Sequence, residues 1–140
     1  MKKVDWSVNL YLLNAALLFT HEIDSAFWKE WDLFGLPGGI QIFLVLNFLL
    51  LLVALYGFQQ VVLGTKTARA FSLLLAAAGV FAFGIHTFFI VTGHPEFTLP
   101  VSIVVLVTTL IASLAQGFLA LRETREISHR GHREHREMSF

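Results

Sequence analysis

The sequence predicts an all-α polytopic membrane protein, an antiparallel bundle of four transmembrane helices with both termini in the cytoplasm. Three observations predict it. Residues are 56% hydrophobic and mean hydropathy is +0.69, against about 45–50% apolar residues in soluble domains. Four apolar stretches, about 6–24, 39–63, 68–92 and 98–121, alternate with short polar loops. Nine of the ten Lys and Arg residues fall on one side of those stretches. Charge is sparse and sums to zero, and nothing in it points to nucleic acid; the bilayer is the partner the composition implies. The absence of cysteine excludes disulfides, thiolate metal sites and a catalytic thiol.

Residues 1–121 read as one transmembrane domain and 122–140 as a polar cytoplasmic tail. The last three stretches each exceed the roughly 20 residues that span a ~30 Å hydrocarbon core. The first has a clean apolar run only from Trp6 to Thr20, about 22 Å at ~1.5 Å per residue. To cross, it must carry His21, Glu22, Ile23 and Asp24 into the interface or the bundle. A signal peptide is the competing reading, since Lys2 and Lys3 precede a short apolar run. Asn9 and Asn14 interrupt that run and no small-residue cleavage site follows it, so a retained helix is expected. Lys2, Lys3, Lys66, Arg69, Arg122, Arg125, Arg130, Arg133 and Arg136 share one side, against Lys29 alone. The positive-inside rule makes that side, and with it both termini, cytoplasmic.

In the first outer loop, Phe27, Trp28, Trp31 and Phe34 recur at helical spacing with charges between them. This suits an aromatic interfacial segment at headgroup depth, or a lid over the space between helices. Leu36-Pro37-Gly38-Gly39 then breaks the helix. Helix 1 carries a polar stripe of Asn14, His21, Asp24, Ser25 and Trp28, because i,i+3 and i,i+4 residues share a face. Helix 3 carries Ala78, Ala82 and His86 in a ladder with Gly79 beside it, small residues that let another helix approach closely. Ser102, Thr109, Ser113 and Gln116 stripe helix 4, and Asn47 lies about two turns into helix 2. In the tail, Gly131 is expected to interrupt a partly helical segment, and His129, His132 and His135 read as solvated.

Depth brings His21, Asp24, His86, Asn47 and the loop residues His94 and Glu96 toward one outer leaflet. An ionisable group at membrane depth costs a few kcal/mol unless paired and marks a functional site by default. Two imidazoles and a carboxylate from His21, Asp24 and His86, with His94 or Glu22 as a fourth member, suit Zn2+ or Fe2+. A metal-free alternative has Asp24 orienting His21 as general base, with Asn47 or His86 as donor. Asn14, Trp28 and Trp31 would support such a site. The structural alternative is equally direct: His21 and Asp24 capping helix 1 in the headgroups, and His86 bonding a neighbouring helix. No HExxH, GxSxG or P-loop is present. The two function classes are therefore a small membrane enzyme acting on a lipid-like molecule and a non-catalytic subunit, lipid-binding module or transporter component.

The block from His21-Glu22-Ile23-Asp24 through Trp28 and Trp31 to Phe34-Gly35-Leu36-Pro37-Gly38-Gly39 resembles a family of short bacterial four-helix membrane proteins of unknown function. That resemblance implies an inner-membrane location and no activity. A looser likeness, carried by His21 and Asp24, is to the HXXEE membrane proteins, which implies a metal-dependent membrane enzyme; Ser25 stands where that motif has its second acid.

Overall fold

The computed structural model describes residues 6–137, and side chains as far as Arg122. Lys2 and Lys3, and the tail side chains including His129, His132 and His135, lie outside the described residues. Among those described there are five helices and no strand: α1 (Trp6–Phe27), α2 (Glu30–Leu33), α3 (Ile40–Val62), α4 (Ala68–Val91) and α5 (Pro100–Glu137). Three of them, Ile40–Val62, Ala68–Val91 and Pro100–Arg122, are long and apolar enough to cross a bilayer. Their outward faces carry Leu, Val, Ile and Phe, as a lipid-facing surface requires.

Helix α1 is less apolar, and its position explains why. It packs against α3, α4 and α5, so one face is shielded and can bear polar groups. That face buries Tyr11, Asn14, Leu18, His21 and Ser25, in i,i+3/i+4 steps. The α1 helix is also longer than its apolar run, about 33 Å at ~1.5 Å per residue, because His21 to Asp24 continue it rather than end it.

Cross-helix bonds define the directions. Asn14 and Asp24 of α1 meet Gln116 and Ser102 of α5, and Ser72 of α4 meets Gln116, so both pairs run antiparallel. At mid-bundle the two polar stripes close on each other. Asn14 Nδ2 donates to Gln116 Oε1 at 2.7 Å, Ser113 Oγ donates to Asn14 Oδ1 at 3.0 Å, and Gln116 Nε2 donates to the Ser72 carbonyl at 3.2 Å. All four residues are buried, and these bonds pair polar groups with one another rather than with lipid, as a bilayer demands. Two glycines permit this closeness. A Cβ at Gly79 would overlap Ser113 Oγ, and one at Gly57 would overlap the Tyr11 hydroxyl and lie 2.9 Å from Phe71.

Two local features depart from expectation. The aromatic loop is not one continuous helical face: Lys29 adopts φ +53°, a left-handed turn that separates α1 from α2. After that turn Glu30 and Trp31 point inward and are buried, while Phe27 and Phe34 stay exposed. The other departure is α5, which continues through Gly131 to Glu137. A single interior glycine costs about 1 kcal/mol relative to alanine and does not end this helix, whose tail is rich in good helix formers.

Candidate functional site

At the end of the bundle that α2 covers, a cluster of ionisable groups lies under an aromatic cap. His21 from α1 and His86 from α4 meet edge to face, ring centroids 4.4 Å apart at 90°. Both are almost wholly buried, 2% and 1% exposed. His86 Nδ1 lies 2.7 Å from the Ala82 carbonyl. A carbonyl only accepts, so Nδ1 carries the hydrogen and Nε2 is the atom free to gain or lose a proton. That Nε2 faces Glu30 Oε1 at 3.3 Å, off the line of a hydrogen bond but within ion-pair range.

Glu30 is 8% exposed. Burial alone would raise its carboxyl; polar contacts from His86 and Ser25, with the imidazole charge of His86 and His21, outweigh burial and hold it below its ordinary value. Glu22, one residue beyond His21, lines the same space, with Asn47 of α3 against its carboxyl.

Phe97 closes the cluster from the α4–α5 loop. It is 1% exposed, with its ring 4.1 Å from that of His86, 6.1 Å from that of His21 and 6.2 Å from that of Trp28. Its φ is +66°, a left-handed conformation that costs a bulky residue about 1–3 kcal/mol and persists only where the surroundings enforce it.

The expected residues divide. His21 and His86 come together, with Glu22 beside them. Asp24 turns toward α5, its Oδ1 accepting from Ser102 Oγ at 3.0 Å, while its charge still reaches His21. His94 stays on the loop, half-exposed, 3.5 Å from Glu96 and edge to face with Phe89. Asn14 belongs to the mid-bundle network, two turns below His21. Trp28 reaches the cluster only through Phe97, and Trp31 packs on Phe43 of α3. The donor set expected for Zn2+ or Fe2+ is thus not assembled; among the described residues no three His, Asp or Glu side chains gather as a metal ion requires.

Sequence reasoning missed Glu30 and Phe97. Glu30 reads as a spacer between aromatics, and nothing at Lys29 signals the left-handed turn that swings it inward. Phe97 sits in a loop marked only by Gly93 and Pro95.

Beneath the cluster lies a cavity of about 360 Å³ between α1, α3 and α4. Its ionisable members, His21, Glu22, Glu30 and His86, lie at one end. Tyr11, Ala54 and Phe71 form the other end, and the walls are aliphatic or aromatic. From Phe71 to His86 it follows α4 for about 22 Å at ~1.5 Å per residue. Wall residues Leu50 and Val53 of α3, and Leu74 and Phe81 of α4, are also exposed on the bundle surface. The cavity therefore opens sideways, between α3 and α4, onto the apolar face.

An all-helical bundle with three bilayer-length helices and an apolar exterior is a helical multi-pass membrane protein. Residues 8–123 match the model of a family of unknown function, DUF6713, and the chain belongs to that family. No curated protein and no solved structure matches it.

Proposed function

We propose that this is a four-span protein of the bacterial inner membrane, with both termini cytoplasmic, that binds a lipid-like molecule in the cavity between α1, α3 and α4. The shape of that cavity is the observation that carries the reading. It is long, thin and apolar, open to the lipid side, with its four ionisable groups gathered at one end. Ligand sites are apolar clefts of about 300–1,000 Å³ with a few convergent polar groups, and this one is proportioned for a single alkyl chain. With α1 as the fourth span, α2 and the ionisable cluster stand at the outer leaflet.

Ala78 lines the cavity and is exposed, so a large residue there fills the space without crowding the helix contacts. Lipids extracted from purified wild type should include one single-chain amphiphile per protein, lost in Ala78→Trp while the helical content is kept. Equal lipid content in the two proteins would sink the binding reading. Topology has its own test, because the chain has no native cysteine. Single cysteines at Lys29 and Lys66 should be labelled by a membrane-impermeant maleimide from outside in the first and only after lysis in the second; the reverse pattern overturns the orientation.

One observation favours a second reading, an enzyme. His86 is held by its Nδ1 on a backbone carbonyl with Nε2 turned toward Glu30, the arrangement of a general base with its orienting groups. In that reading His86 moves a proton at the head of the bound molecule, with His21 beside it. Turnover of a co-purified amphiphile by wild type but not by His86→Gln would support it.

A further inference from the structure

Resting on the cavity as a ligand site, we infer that the molecule it takes is a single-chain amphiphile whose head is a protonated amine. Four side chains decide the head chemistry: the carboxyl groups of Glu22 and Glu30 and the imidazoles of His21 and His86. No Lys or Arg lines the cavity. Lys29, adjacent to Glu30 in the chain, is exposed, turned away by its left-handed backbone. The site therefore offers two acids and no fixed cation.

The unsatisfied atom that belongs to a cavity-lining residue points the same way. His86 is 1% exposed and its Nε2 has no hydrogen-bond partner. An alkylammonium brings three N–H donors and one positive charge on a compact head, matching an acceptor-rich, cation-free end. A carboxylate or phosphate head would instead face two carboxyl groups at close range, a like-charge arrangement that a poorly solvated site disfavours. A neutral alcohol would satisfy one acceptor and leave the Glu22 carboxyl, which has no ion-pair partner of the kind His86 gives Glu30, uncompensated.

The wall length sets the tail. Leucine, valine, alanine and phenylalanine side chains line the path from His86 down to Phe71, and a straight alkyl chain gains from each CH2 it buries against them. The ammonium then sits at headgroup depth, where it can enter without crossing the hydrocarbon.

The test uses the purified full chain in zwitterionic lipid nanodiscs, with protein-free discs as background. Dodecylamine, dodecanol and dodecanoic acid are each titrated at neutral pH, and one-to-one binding is read by native mass spectrometry. Wild type should bind the amine roughly tenfold or more tighter than the alcohol, and the acid weakest. Glu30→Gln and Glu22→Gln should each weaken the amine by about tenfold while leaving the alcohol within about threefold. If Glu30→Gln fails to fold, the wild-type ranking and Glu22→Gln still decide. Alcohol or acid binding as tightly as the amine, in a manner abolished by Ala78→Trp, overturns the amine head and leaves the cavity as a lipid site. No saturable binding of any of the three, with wild type and Ala78→Trp alike, overturns both readings.

Discussion

Replacing Gly79 with leucine should destabilise the bundle by about 2–4 kcal/mol, the largest effect expected of any single substitution in the membrane core. The α4 and α5 backbones approach so closely at Gly79 that even a Cβ would overlap Ser113 Oγ and lie 3.1 Å from Thr109 Cγ2. A leucine must push the helices apart, and the shift takes Ser113 out of reach of Asn14 and Gln116 away from the Ser72 carbonyl. The damage therefore exceeds simple overpacking, because it strips partners from polar groups that have no water to fall back on. Gly79→Ala should be milder, and Ser113→Ala made together with it should recover part of the loss, since the overlapping atom is gone. Denaturant titration in detergent, followed by circular dichroism, measures each step. Wild-type stability in Gly79→Leu would mean that the helices do not approach at this point.

Glu30→Ala should cost about 2–3 kcal/mol, and its cost should vanish in acid. Removing the carboxylate leaves His86 Nε2 and the buried Ser25 hydroxyl facing nothing, and unties α2 from α4. The pH dependence follows from the direction of the Glu30 shift. Its carboxyl is held below the ordinary 4.5 because polar contacts from His86 and Ser25, and the imidazole charge of His86 and His21, outweigh burial. A group depressed in the folded state stabilises fully above its unfolded value and loses that contribution as pH falls through the folded one. Wild type should therefore lose more stability than Glu30→Ala as pH falls from above the ordinary 4.5 through the lowered folded value, until their thermal midpoints converge. A gap that stays constant with pH would mean the ion pair contributes nothing, and the loss would then lie in packing alone.

The parts of this arrangement that were legible in the sequence are those set by depth and period. His21 and His86 could be matched because both lie near the same ends of parallel helices, and the helix 1 and helix 4 stripes lay on one face each. What periodicity could not supply was which stripe residue meets which partner. Asp24 stands one turn from His21, so local spacing favours that pair, yet Ser102 of α5 takes the carboxylate. Asn14 shares a face with His21, but the two serve different layers because seven residues of helix separate them by about 10 Å. Glu30 was hidden for another reason: a single left-handed lysine reverses the face of the next turn, and backbone choices of that kind leave no mark in hydropathy.

The plug at Phe97 has a consequence for how the site is supplied. With the phenylalanine ring pressed against His86 and the α2 turn folded over the other side, the imidazoles are shut off from the aqueous face, while the gap between α3 and α4 stays open to lipid. For the lipid-like occupant we propose, arrival would then be a two-dimensional search. Such a molecule would reach the site at the concentration it holds in the leaflet, not in the surrounding water, and a modest intrinsic affinity would suffice for any compound that partitions strongly into bilayers. Competition follows the same rule: abundant membrane components, rather than soluble ones, are the rivals any true occupant must outbid.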